Sequence, residues 1–335
     1  MKRSFLLAGI TIISFGLLLQ SSCKEDDPPD TPIPEPDFEE VVIPDLKVSL
    51  NKVYFADPSK GWIIGDSGVI LRSLDSGNTW TQLKYGSENL LDFHYFNDKN
   101  MWIVGENGTI LFSADTGSSW TNQASPTYAD LKGIHIVENQ QGWIVGTDDE
   151  NNAVILHTEN GGHLGGGWQW QFPPENTLGL NDVFFTDANN GYACGYGGAI
   201  VQTFDGGEKW EFGNNVSNET LNSISFPNKN EGFMVGNRGT FVNTNDAGET
   251  WYHAYEISIF DLYEVQYITD KLAWCCGHNS DVFITTDGGV YWERNGVSIP
   301  STLKSIHFSD EDHGWIVGHV KNETDPIIYK YIGNN

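Results

Sequence analysis

Basic residues are scarce in this chain. Eighteen Lys and Arg stand against 45 Asp and Glu, a formal net charge of −27. A surface of that sign repels nucleic acid and anionic membrane, so neither is expected as a direct partner. Cysteine is scarce as well. Four residues, Cys23, Cys194, Cys275 and Cys276, make no disulfide framework. The last three lie in apolar strand patterns and read as small buried hydrophobes. No His or Cys stands near them at ligand spacing, so no structural metal or other cofactor is called for. Long apolar runs are missing too. Phe5 to Leu19 is too short and too close to the N-terminus for a comfortable membrane span.

That short run has another use. Lys2 and Arg3 precede it, and Gln20-Ser21-Ser22-Cys23 follow it. A basic start, an apolar core and small residues before a cut site form a secretory signal over residues 1–22. Cys after Ser-Ser resembles a bacterial lipobox, which implies that Cys23 carries lipid. Residues 23–37 are acidic and rich in proline, a composition that makes an extended, solvated tether. Lys24-Glu25-Asp26-Asp27 resembles the acidic export signal of bacterial surface lipoproteins. The expectation is a cell-envelope, outer-membrane lipoprotein, surface-exposed and monomeric.

From residue 38 onwards one pattern recurs seven times. Its aromatic is Trp62, Trp102, Trp143, Tyr192, Phe233, Trp274 or Trp315, spaced by 40, 41, 49, 41, 41 and 41 residues, each followed three positions later by Gly. Twelve residues before each aromatic stands a leucine: Leu50, Leu90, Leu131, Leu180, Leu221, Leu262 and Leu303. Seven before it stands Phe55, Tyr95, Ile136, Phe185, Phe226, Tyr267 or Phe308. Self-similarity at this period marks a repeat architecture. Each copy reads as short strands separated by Gly and Asn turns, such as Gly65-Asp66-Ser67-Gly68 and Asn107-Gly108. Four strands per copy of about 40 residues is the arithmetic of a propeller blade. The fold class is therefore all-β, a single seven-bladed β-propeller over residues 38–335. The seventh copy has room for one strand after Gly318, near Ile327 to Ile332. Its missing outer strand is expected from Phe38 to Ile43, which closes the ring and removes an exposed edge.

A second motif, S/T-x-D-x-G-x-x-W, precedes the fourth strand. Its aspartates are Asp75, Asp115, Asp205, Asp246 and Asp287, and its tryptophans Trp80, Trp120, Trp210, Trp251 and Trp292. A degenerate copy has Asn160 in the Asp place, a glycine-rich insertion and then Trp168. The carboxylate accepts from backbone N–H groups in a tight turn, the glycine supplies positive φ, and the tryptophan fills space between blades. This row of acids is turn architecture, with no catalytic role.

These motifs identify the Asp-box, or BNR, repeat. Together with the seven W-x-x-G strands they resemble the photosystem II assembly and stability factor family, over about residues 38–333. The wider Asp-box group includes sialidases, xyloglucan-type hydrolases and sortilin-type receptors. The closer resemblance implies a chaperone-like protein that docks on membrane-protein partners. That family carries a cluster of arginines on the propeller. Here the mature chain has Arg72, Arg238 and Arg294, and Arg238 alone falls in a loop suited to binding.

Catalysis finds little support. A sialidase needs three arginines on one carboxylate, and the Arg-Ile-Pro signature is absent. A glycosidase needs two carboxylates across a cleft; Asp66, Glu106, Asp148, Asp149 and Glu150 are the loop acids on offer. His94, His135 and His307 share one slot of the first strand near the channel, where Tyr54, Phe184, Ser225 and Gln266 stand in the other blades. They read as packing residues before zinc ligands. The leading expectation is a non-catalytic binding or assembly-scaffold propeller for a protein partner; a glycan-binding or glycoside-hydrolysing propeller is the alternative. The candidate face comprises the loops after the second strands and those joining blades: Asp66, Glu106, Asn107, Asp148, Tyr196, Asn237, Arg238, His278 and His319. Tyr85, Tyr128 and Tyr255 are candidate stacking platforms.

Overall fold

The computed structural model describes residues 38–163, 167–295, 301–320 and 325–333, the Asn139 side chain excepted. The signal segment, Cys23 and the tether lie outside these residues.

Seven antiparallel sheets of four strands make the fold. In blade 1 the strands are Leu50–Asp57, Lys60–Gly65, Val69–Ser73 and Thr81–Lys84, hydrogen-bonded in chain order. Blades 2 to 6 repeat this order, with first strands Leu90–Tyr95, Asp130–Ile136, Leu180–Phe185, Leu221–Ser225 and Leu262–Tyr267. Blade 7 takes Ser301–Asp310, His313–Val320 and Pro326–Tyr331 from the far end of the chain and Phe38–Glu40 from the near end. Phe38 pairs with Tyr331, Glu39 with Lys330 and Glu40 with Tyr329. The clasp is shorter than the composition of residues 38–43 suggested, because only one further backbone bond, from Val41 N–H to the Ile328 carbonyl, extends it. Each first strand touches the first strand of the next blade, and Leu50–Asp57 touches Ser301–Asp310. The ring is closed.

The repeated columns of the sequence meet across the blade boundaries. The second strand of every blade is apolar on both faces because it lies between two neighbouring sheets. In blades 3 to 7 its aromatic stacks on an aromatic at or near the end of the next blade's first strand, whereas Trp102 of blade 2 shares its core with Ile136 there. Trp315 lies 4.6 Å from Phe55, Trp274 4.9 Å from Phe308, Tyr192 4.6 Å from Phe226 and Phe233 4.5 Å from Tyr267, all near parallel. The Asp-box tryptophan then meets that pair edge-on, as Trp80 does with Trp315 and Trp251 with Phe226. Edge-on and offset contacts suit the ring quadrupoles and bury large apolar area. The fourth strands begin one residue after these tryptophans, at Thr81, Thr121, Gln169, Glu211, Tyr252 and Glu293. The tryptophan itself turns inward, so its backbone is not part of the outer edge.

Candidate binding face and central channel

Each blade has two ends. The turns between first and second strands, and the Asp-box turns between third and fourth, lie at one end. The turns after second strands and the links between blades lie at the other.

At the Asp-box end the turn hydroxyls and carboxylates bond one another, while the indole N–H groups of Trp62, Trp80, Trp120, Trp274 and Trp292 are buried without a partner among the described residues. In blade 1 the Ser73 hydroxyl donates to Asp75 Oδ1 and accepts from Gly77 N–H, both at 2.9 Å. Asp75 then accepts from the Thr79 backbone at 2.9 Å and the Thr79 hydroxyl at 2.6 Å. Those two Thr79 bonds hold the Asp75 carboxyl below the usual range. The same network recurs at Asp115, Asp205, Asp246 and Asp287. In blade 3 Thr158 still accepts from Gly162, while Asn160 is reached by Thr158 at 3.3 Å. Gly77 has φ +73°, and a Cβ there would sit 2.1 Å from the Trp315 ring. The second-strand aromatics cap these turns: Trp102 Nε1 donates to the Gly161 carbonyl at 3.0 Å and Trp143 Nε1 to that of Gly206 at 3.2 Å.

The channel is built from the first strands. In every blade a β-bulge follows the repeated leucine. A bulge re-aims side chains and leaves backbone groups unpaired. Polar residues take those groups up. Asn51, Asn181 and Asn222, each one position after the leucine, donate to the leucine carbonyl of the next blade, at 2.9, 2.9 and 2.7 Å. One position further on, Asp92 accepts from Ile134 N–H at 2.9 Å, Asp182 from Ile224 at 2.9 Å and Glu264 from Ile306 at 2.8 Å. These side chains staple blade to blade around the ring.

The second layer also holds a buried ion cluster. Lys52 Nζ lies 3.0 Å from Asp92 and 2.6 Å from Glu264. Burial works against its charge, but Asp92, Glu264 and Asp182 outweigh that and hold the ammonium well above the usual lysine range. Asp182 has no such close cation, and burial pushes its carboxyl up to about 7.

Below this layer stand the three histidines. Burial lowers His94 to about 4 and His135 and His307 to about 3. His307 Nδ1 accepts from Phe55 N–H at 3.2 Å, just as Gln266 accepts from Phe308 and Ser225 from Tyr267. His94 and His135 pack ring to ring at 5.0 Å, and His307 packs on Tyr54. Among the described residues no three His, Cys, Asp or Glu converge as metal ligands. Cys194, Cys275 and Cys276 are buried and unbridged, and burial raises their thiols well above the usual range.

Above the channel lies a bowl of about 580 Å3, lined by Asn51, Leu91, Lys132, Asn181, Tyr196, Thr220, Asn222, Asn237, Tyr263 and Lys304. Of the loop residues singled out from the sequence, Tyr196 and Asn237 line it. Most of the others are engaged with the protein. Asp66 accepts from Asn51 at 2.8 Å and Glu106 from Asn89 at 3.1 Å. Asn107 donates to Glu88, and Asp148 ties its own turn through Glu150 and Asn152. His278 meets the Thr302 hydroxyl and His319 that of Ser49. Arg238 extends into solvent, 3.6 Å from Glu219, while Arg294 pairs with the buried Asp281. Tyr128 is 88% exposed. Tyr85 accepts from Trp120 N–H in the core between blades 1 and 2, and Tyr255, exposed on the flank, donates to the Val290 carbonyl; neither lines the bowl.

Sequence reasoning missed Lys132, Tyr263 and Lys304. They belong to no motif. The signal was the column after the repeated leucine, which the bulge turns towards the bowl.

The sequence matches the family described as Photosynthesis system II assembly factor YCF48 over residues 35–121, 81–151, 166–257 and 252–323. The chain belongs to this family. Among solved structures it is similar to YCF48 bound to D1 peptide, at 21% identity and TM-score 0.69, over 88% of this chain and 96% of that one. YCF48 from Cyanidioschyzon merolae gives 18% identity and TM-score 0.68, over 88% and 98%. The structure of U3-55K gives 12% and 0.72, over 89% and 100%. At these identities the likeness shows a shared fold. No curated protein matches the sequence. The chain has few arginines, and its bowl carries lysines.

Proposed function

We propose that this member of the YCF48 family is a non-catalytic propeller of the cell envelope, held by lipid on Cys23, that binds a peptide segment of a protein partner in the bowl. The observation that carries the reading is the contrast between a bowl with unused polar groups and Asp-box turns whose hydroxyls and carboxylates bond one another. The relative solved with a D1 peptide supports a peptide as ligand. Three of the five loop acids on offer to a glycosidase, Asp66, Glu106 and Asp148, are tied to Asn51, Asn89 and Asn152, which supports binding without turnover. Which protein supplies the peptide depends on chemistry at the bowl, not on the family's name.

A photo-crosslinker at Tyr196 tests this in intact envelope, with a second one at Phe204 on the Asp-box turn of blade 4 as control. Capture of protein-derived peptides at 196 and not at 204 is the expected result. Equal labelling at both positions rejects the face. Glycan capture at 196 in place of peptide replaces the reading with a glycan-binding one.

A further inference from the structure

The hydrogen bonds within the bowl leave an uneven remainder. Its amide oxygens are taken. Asn51 Oδ1 accepts from Lys304 at 3.0 Å, Asn181 Oδ1 from Lys132 at 3.5 Å, and Asn237 Oδ1 from Asn222 at 3.0 Å. The amide donors are taken too, since Asn51 Nδ2 serves Asp66 and Leu90 while Asn222 Nδ2 serves Asn237 and Leu262. What remains is donors on the lysines, together with hydroxyls that can donate or accept. Lys132 gives one bond to Tyr196 Oη at 2.5 Å and a long one to Asn181, leaving a third N–H. Tyr196 accepts that bond and keeps its own O–H. Lys304 has two N–H groups beyond Asn51. The Tyr263 hydroxyl meets no partner among the described residues. An ammonium offers three donors and no acceptor, so a complementary ligand must accept.

Charge points the same way. The chain carries −27, yet the mouth of the bowl is lined by two lysines and no carboxylate; Asp92, Asp182 and Glu264 lie deeper, around Lys52. Burial lowers the Lys304 ammonium against the pull of Asp66 and Glu106, so its charge is under-compensated. Lys132 belongs to blade 3 and Lys304 to blade 7, so they face each other across the mouth with two blades between them on one side and three on the other.

We infer that the bowl binds a carboxylate carried by a peptide, held between Lys132 and Lys304 with the Tyr196 and Tyr263 hydroxyls as further donors. The inference rests on the peptide-binding reading for its source, while the carboxylate site can be tested without any peptide.

The first test is a sodium acetate titration of the full chain labelled with 13C-lysine, followed by NMR of the Cε–Hε signals. Lys132→Met and Lys304→Met identify the two signals. Both should move saturably with acetate, stay put with chloride at equal ionic strength, and leave exposed Lys84 unmoved. No acetate-specific movement overturns the inference, whatever peptides do. The second test passes decapeptide libraries over immobilised protein: amidated peptides free of Asp and Glu, and the same peptides with a free C-terminus or one Asp. Only the carboxylate-bearing set should be retained, and the double lysine variant should lose retention by at least about ten-fold. Equal retention of neutral peptides overturns the inference and leaves peptide binding standing. Retention of uronic-acid oligosaccharides with no peptide retained overturns both. Circular dichroism melts of the variants check that they remain folded.

Discussion

At the Asp-box end, a serine or threonine, an aspartate and a glycine recur in five blades, and their polar atoms bond one another. At the bowl end, the residue after the repeated leucine is Asn, Leu, Lys, Asn, Asn, Tyr and Lys in turn. The backbone geometry is the same seven times over. The difference lies in whether the side chains close their own hydrogen bonds. Where they close, sequence repeats, because every blade needs the same turn. Where they stay open, sequence varies, because no shared turn requires the same residue in every blade.

The comparison can be broken by acid. Unfolded histidine takes a proton below about pH 6.5, whereas His94, His135 and His307 in the channel resist until about pH 3 to 4. The unfolded state then binds more protons, so stability falls as pH drops from 6.5 to 4. The loss is roughly 3 kcal/mol per histidine at pH 4, at about 1.4 kcal/mol per pH unit. Asp182 works the other way. Its carboxyl is raised to about 7, so acidification below that value relieves its burial and offsets part of the loss. The carboxyls of Asp75, Asp115, Asp205 and Asp246 are lowered, so their contribution is lost only as pH falls through and below the ordinary carboxylate range. Urea titrations at pH 7 and pH 4 should show the loss, and His307→Gln, which keeps an acceptor for Phe55 N–H, should recover about a third of the histidine share. An identical pH dependence in that variant would mean that His307 titrates normally.

Two glycines with nearly the same φ sharpen the contrast. Gly77→Ala should destabilise by about 3 kcal/mol, from left-handed strain and collision with Trp315. Gly86→Ala, in the link after blade 1, has φ +71° and nothing within 4 Å, and should cost about 1 kcal/mol. Denaturation midpoints that do not separate would show that packing at the Asp-box end tolerates a methyl group. The smallest pair is Thr244→Val, which strips the Gly248 and Asp246 bonds from a buried turn and should cost roughly 1.5 kcal/mol, against Lys132→Met, within about 0.5 kcal/mol. Calorimetry of both variants would detect the reverse order.

Much of the fold was legible because its columns are structural. Leu50, Phe55, Trp62 and Trp80 each have counterparts in most copies, and those counterparts pack together across blade boundaries. The bowl was not legible for a physical reason. Whether Asp66 or Lys304 is free depends on Asn51, and whether Lys132 is free depends on Asn181, a neighbour 49 residues away. A loop carboxylate looks available in sequence and is already engaged in space. Arg238 reaches into solvent beside Glu219, as its loop position suggested, while two lysines outside every motif line the mouth.

The clasp in blade 7 has a mechanical consequence. Phe38–Glu40 lies antiparallel to Pro326–Tyr331, with its hydrogen bonds perpendicular to the strand axis. Tension drawn along that strand from Phe38 loads all three residue pairs at once, in shear. A pull across the sheet would instead unzip them singly. The ring is fastened in the geometry that best resists being tugged by its leading end.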